Sequence, residues 1–138
     1  MKEHVYTFRV QYPETDQMGT VHHANYVKYY ETARWEFFRS LGIPYRELED
    51  EGYMLPVTNM SFRFLKTTHY DALLTVKTSI KAFKGVRLRL EYKLYNEKQE
   101  LINVAETELA FVKKGSWKPC APPQHLVQAI EKYLDSVG

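Results

Sequence analysis

The sequence holds one cysteine, Cys120, in 138 residues. An internal disulfide is therefore excluded, and a lone thiol fits a reducing compartment. Long hydrophobic runs are missing too: no stretch is apolar for the length that spans a bilayer. Met1-Lys2-Glu3-His4 leads straight into Val5-Tyr6-Thr7-Phe8, without the apolar core of a secretory leader. The expectation is a cytoplasmic protein with no integral membrane segment. An excess of one charge is also lacking, since 19 Lys and Arg face 17 Asp and Glu for a net charge of +2. Nucleic-acid binders concentrate basic charge, so no nucleic-acid partner is expected, while a small anionic substrate remains compatible. Repeats, low-complexity tracts and linkers are absent, and the length suits one domain spanning 1–138.

Aromatic residues are plentiful, at 14% of the chain with 11 tyrosines. Tyrosine joins an apolar body to a polar tip, which favours interfaces and half-wet pockets over a purely aliphatic core. Val5 to Tyr12 alternates as a strand, and Pro13 ends it. From about His23 the period changes: Tyr26, Tyr30, Ala33, Phe37 and Leu41 recur at helical steps. Gly42 fits a left-handed stop, and Pro44 opens a short second helix, Pro44 to Glu51, that Gly52 ends. Four strand-like stretches follow: Met54 to Lys66, Asp71 to Phe83, Val86 to Tyr95 and Leu101 to Lys113. Lys84-Gly85 and Asn96 to Gln99 are turns too short for a parallel crossover, so the sheet is expected to be antiparallel. A last helix begins near Pro122 and aligns Leu126, Ile130 and Leu134. One helix can hardly cover a five-stranded sheet that also has two edges to hide, so pairing with a second copy is expected.

The stretch Asp16-Gln17-Met18-Gly19-Thr20-Val21-His22-His23-Ala24-Asn25-Tyr26 leads into the long helix. The first N–H groups of a helix lack intrahelical partners and carry the positive end of its dipole, so they suit an oxyanion. Asp16, on the preceding loop, supplies a carboxylate. Together they can attack a carbonyl: one group activates water or attacks directly, and the other holds the developing charge. No strong acid stands by for a poor leaving group. A thiol, with an ordinary pKa of about 8.5, departs as thiolate without one. Thioester hydrolysis fits best.

The same eleven residues, with Tyr29-Tyr30-Glu31-Thr32-Ala33-Arg34 downstream, resemble the signature of the 4-hydroxybenzoyl-CoA thioesterase family, in its branch of small bacterial acyl-CoA thioesterases. In length and element order the resemblance covers roughly Val5 to Lys113. It implies an α+β hot-dog fold, with a five-stranded antiparallel sheet wrapped around a long central helix, plus a C-terminal helix. It implies homodimers that join their sheets and assemble further to a homotetramer. By the resemblance Asp16 matches the catalytic carboxylate. His23 matches the residue whose backbone N–H polarises the thioester carbonyl. Gly19, Val21, His22, Asn25 and Tyr26 fall at substrate-binding positions. The substrate is an acyl-CoA or an acyl-carrier-protein thioester; coenzyme A is part of that substrate and no cofactor is implied.

Simpler readings stand beside these. Asp16 can bond its own loop, as turn aspartates do. Asn25 can cap the helix. Glu31 can pair with Arg34, or serve as a second candidate acid. His22 and His23 are adjacent, with His4, His69 and His125 scattered, so no metal is expected. Lys77, Lys81, Lys84, Arg87, Arg89 and Lys93 suit a solvated outer sheet face, or attraction of coenzyme A phosphates. Cys120 is read as a bystander. Two other functions use the same fold: an acyl-thioester hydratase or dehydratase, and a non-catalytic protein that binds acyl-CoA or acyl-carrier protein.

Overall fold

The computed structural model describes residues 2–135. Helix α1 (Ala24–Ser40) buries Tyr26, Tyr29, Tyr30, Ala33, Arg34, Phe37 and Phe38, a stripe at three- and four-residue steps. Its end is a Schellman turn. Gly42, at φ 81°, donates to the Arg39 carbonyl, and Ile43 donates to that of Phe38. Pro44 then caps α2 (Tyr45–Asp50), and Gly52, at φ 94°, follows it.

The main sheet is antiparallel with order β1-β4-β5-β6-β3, from β1 (His4–Arg9), β3 (Val57–Phe64), β4 (Leu73–Lys84), β5 (Arg87–Tyr95) and β6 (Leu101–Ala110). The two-residue period sorts its faces. Leu74, Val76, Leu88, Leu90, Tyr92, Leu94, Ala105 and Leu109 are buried. The sheet curls about α1: the Tyr29 ring lies 4.5 Å from Phe8 of β1, and Tyr30 lies 4.9 Å from Tyr92 of β5 and 6.0 Å from Phe62 of β3. Two polar residues of β6 point inward and are met there, Asn103 through its side-chain oxygen alone. Tyr30 donates its hydroxyl to the Asn103 side-chain oxygen, and the Tyr92 and Thr107 hydroxyls meet at 2.9 Å.

The sequence reading is corrected in four places. β1 stops at Arg9, and Tyr12 belongs with Pro13 to a 3₁₀ turn, Tyr12–Glu14, not to the strand. Met54 to Lys66 is two strands, β2 (Tyr53–Met54) and β3, because Pro56 interrupts the ladder. Leu101 to Lys113 likewise splits into β6 and β7 (Val112–Lys113), and β7 pairs with β2 as a separate two-stranded sheet. Helix α3 (Gln124–Asp135) buries Leu126 and Ile130, but Leu134 is 39% exposed. Tyr133 takes its place, its ring 5.1 Å from Phe37.

Candidate active site

The approach to α1 is a closed loop. Thr15 bridges Val21, Asp16 N–H donates to the Thr20 carbonyl at 2.8 Å, and Gly19 N–H donates back to Asp16 at 3.0 Å. Gly19 has φ 81°, and a Cβ there would meet nothing within 4 Å. Its glycine is therefore required by the backbone turn, not by a close approach. The loop is fastened to the segment before β4: Val21 N–H donates to the Thr68 carbonyl at 3.0 Å, and Thr20 bridges His69.

Asp16 is exposed. Its Oδ1 accepts from the N–H groups of Met18 at 2.9 Å and Thr20 at 3.1 Å, and its Oδ2 accepts from the Thr20 hydroxyl at 2.9 Å. The turn-forming role foreseen for an aspartate is thus present. The Thr20 hydroxyl above all, then the N–H groups of Thr20 and Met18, hold the Asp16 carboxyl below the usual range against the opposing effect of desolvation. It stands ionised at neutral pH.

His23 is the residue before α1, with φ −56° and ψ −29°. Its N–H donates to no protein group among the described residues. The next amide, Ala24 N–H, is taken by Nδ1 of His22 at 3.2 Å, which leaves the His22 proton on Nε2. The His22 and His23 rings stack at 4.3 Å. Among the described residues no group of three or more His, Cys, Asp or Glu could hold a metal ion.

Asn25 does not cap the helix as expected. It lies inside α1, and its side-chain amide donates to the carbonyls of Glu14 at 2.9 Å and His22 at 3.3 Å. The carbonyl of Glu14 also accepts from His22 N–H at 3.0 Å. Tyr26, one residue on, is 3% exposed, with its ring edge-on to Phe64 at 5.3 Å.

Glu31 sits eight residues beyond His23, about 12 Å along the helix. No ion pair joins it to Arg34 among the described residues. Arg34 instead lies over the Tyr45 ring at 6.0 Å. The basic set on β4 and β5 is largely engaged. Lys81 and Arg89 reach Glu106, Arg87 reaches Glu108, and Lys77 lies over Tyr95.

One acid escaped the sequence reading. Glu14 is 5% exposed: its Oε2 pairs with Lys28 at 2.6 Å, and its Oε1 accepts from the Gln11 N–H at 2.8 Å and the Tyr29 hydroxyl at 2.9 Å. Burial pushes its pKa up, but these three donors outweigh that and leave it lowered. The signal in the sequence was faint: an acid three residues after Gln11, able to close a capping box on a single 3₁₀ turn, Tyr12–Glu14.

A family model described as the thioesterase-like superfamily matches residues 10–130. YneP of Bacillus subtilis is 36% identical over 110 residues, covering 80% of each chain. The acyl-CoA thioester hydrolase YbgC of Escherichia coli is 32% identical over 124 residues, covering 90% of this chain and 92% of that one. Among solved structures, a DHNA-CoA thioesterase from Staphylococcus aureus superposes with a TM-score of 0.93 at 30% identity, covering 98% of this chain and 93% of that chain.

Proposed function

The chain belongs to the thioesterase-like superfamily, has the hot-dog fold and is a thioester hydrolase, and from that premise we propose where and how it acts. It cleaves an acyl-CoA with water, to the free acid and coenzyme A, where the Asp16 loop meets the start of α1. Its place is among the small bacterial acyl-CoA thioesterases of the 4-hydroxybenzoyl-CoA thioesterase type. It works as one domain, without metal or cofactor.

The observation that carries this reading is the unclaimed His23 N–H at the head of α1, beside a loop that presents an ionised carboxylate. The thioester oxygen accepts from that N–H, which gains in strength as the oxygen becomes an anion. In one route a water gives a proton to Asp16 while its oxygen bonds to the carbonyl carbon. Collapse of the tetrahedral adduct breaks the C–S bond, and coenzyme A leaves as thiolate. In the other route Asp16 itself attacks, expels the thiolate and forms a mixed anhydride that water opens. Gly19, Val21, His22, Asn25 and Tyr26 line the approach.

The test is thiol release from aromatic, short aliphatic and long aliphatic acyl-CoAs. Asp16→Asn should lower kcat by about a hundredfold or more with KM little changed, since the amide keeps the shape but cannot act as base or nucleophile. No thiol release by the wild type across that panel overturns the function. Near-normal turnover by a folded Asp16→Asn variant overturns the assignment, and Glu31 is then the next acid to replace. Label found in the Asp16 carboxyl after a single turnover in heavy-oxygen water would establish the anhydride route, with water opening it at the Asp16 carbon.

A further inference from the structure

Glu14 takes no part in the chemistry above, yet it holds five donors. Its carboxylate accepts from Gln11 N–H, the Tyr29 hydroxyl and Lys28. Its carbonyl accepts from His22 N–H and the Asn25 side chain. Capping the 3₁₀ turn would need only the Gln11 contact. Lys28, Tyr29 and Asn25 belong to the first two turns of α1, and His22 leads into it. Two residues after Glu14, the chain carries Asp16. A buried carboxylate is costly unless its lone pairs are filled, and here both oxygens are occupied.

Given the reading above, we propose that Glu14 is a positioning residue that fixes the Asp16 carboxylate relative to the His23 N–H by tying the Asp16 loop to the start of α1. It touches neither substrate nor reacting atoms. A cavity of about 110 Å³ lies beside it, lined by Tyr6, Phe8, Lys28, Tyr29 and Thr32 among others. With the carboxylate removed, Lys28 and Tyr29 have room to shift into that space, and the head of α1 shifts with them.

The test uses the full chain as Glu14→Ala, Glu14→Gln and Lys28→Met. Kinetics are read on the acyl-CoA that the wild type cleaves fastest. Amide hydrogen exchange at His22 to Tyr26 is read without substrate. Glu14→Ala should lower kcat by about ten- to a hundredfold, as a small misplacement of reacting groups does, with KM within about threefold. Exchange at His22 and Asn25 should quicken by about tenfold or more while the β5 amides keep their rates. Glu14→Gln, which can still accept from Gln11 or Tyr29, should recover part of both losses. Lys28→Met should show a smaller loss of the same kind. If Glu14→Ala does not fold, the other two variants decide. Folded variants that keep kcat within about twofold overturn the proposal, even if less stable. A loss of kcat with unchanged exchange at the helix start overturns it too, because Glu14 would then act on the chemistry directly. If the wild type releases no thiol at all, the functional reading fails, and the exchange rates alone still decide whether Glu14 holds the loop to the helix.

Discussion

His23 has φ −56°, a value that proline adopts without strain. The N–H proposed to hold the oxyanion can therefore be deleted by one substitution. His23→Pro should lower kcat by about a hundredfold, the scale of losing one oxyanion donor. His23→Ala, which keeps the N–H, should cost far less. Equal losses in both variants would shift the role to the imidazole. Thr20 offers a second test at this scale, through pH. Its hydroxyl is the largest influence lowering the Asp16 pKa. Asp16 must be a carboxylate to act, so kcat should fall only at pH values below the ordinary aspartate range of about 3.9. Thr20→Val should move that acid limb upward. A pH profile of kcat that does not move between the two proteins would uncouple Thr20 from the reacting carboxylate. The Asp16 turn was legible because its contacts are local, with Met18, Gly19 and Thr20 all within four residues; the parts given to Asp16 and His23 in the reaction rest on the family resemblance instead. The anchoring by Glu14 was not legible, because Lys28 and Tyr29 lie fourteen and fifteen residues away, and the faint capping-box spacing from Gln11 does not reveal that the acid will be covered.

At the level of elements, α1 was plain in the sequence since burial follows its period, down to the Gly42 stop. The strand breaks at Pro56 and after Ala110 were missed because both halves of each stretch are apolar enough to read as one. Which half pairs with which neighbour is decided by the ladder, not by local pattern. Arg34 was misjudged for a related reason: an i, i+3 charge pair is attractive on an exposed helix, but Arg34 is 5% exposed and packs over Tyr45 instead. Two stability predictions belong here. Phe37 is fully buried in α1 and touches α3 through Tyr133, so Phe37→Ala should cost about 3–5 kcal/mol in denaturant unfolding. The join of the 3₁₀ turn to α1 should fail in acid. Glu14 has a lowered folded-state pKa, so its contribution is present above its unfolded value, about 4.3, and is lost as pH falls through the folded one. Glu14→Gln should be less stable than the wild type at neutral pH, and the difference should shrink towards low pH. A difference that stays constant with pH would mean that the charge of Glu14 adds nothing to stability.

For the whole molecule, the sheet ends at β3, whose outer edge offers unpaired backbone groups. Such an edge is a template for another strand. Val57, Phe64 and Leu65 on or next to it are 36%, 54% and 47% exposed, more apolar surface than a free edge in water favours. Phe64 also meets Tyr26 at the head of α1, so whatever covers β3 stands next to the proposed site. A second copy, joined β3 to β3, would cover both edges by the same contact, as a two-fold interface requires. The expected outcome of light scattering at micromolar concentration is a dimer or a pair of dimers. Phe64→Lys should drive it towards monomer, since a charge on an edge strand opposes pairing. If the acyl slot is completed by the partner, the same variant should raise KM as dimer is lost, and raising the protein concentration should restore activity. A wild type that scatters as monomer alone would remove the partner from the site. A monomeric Phe64→Lys variant with unchanged KM would leave the dimer standing and make each copy's site complete in itself.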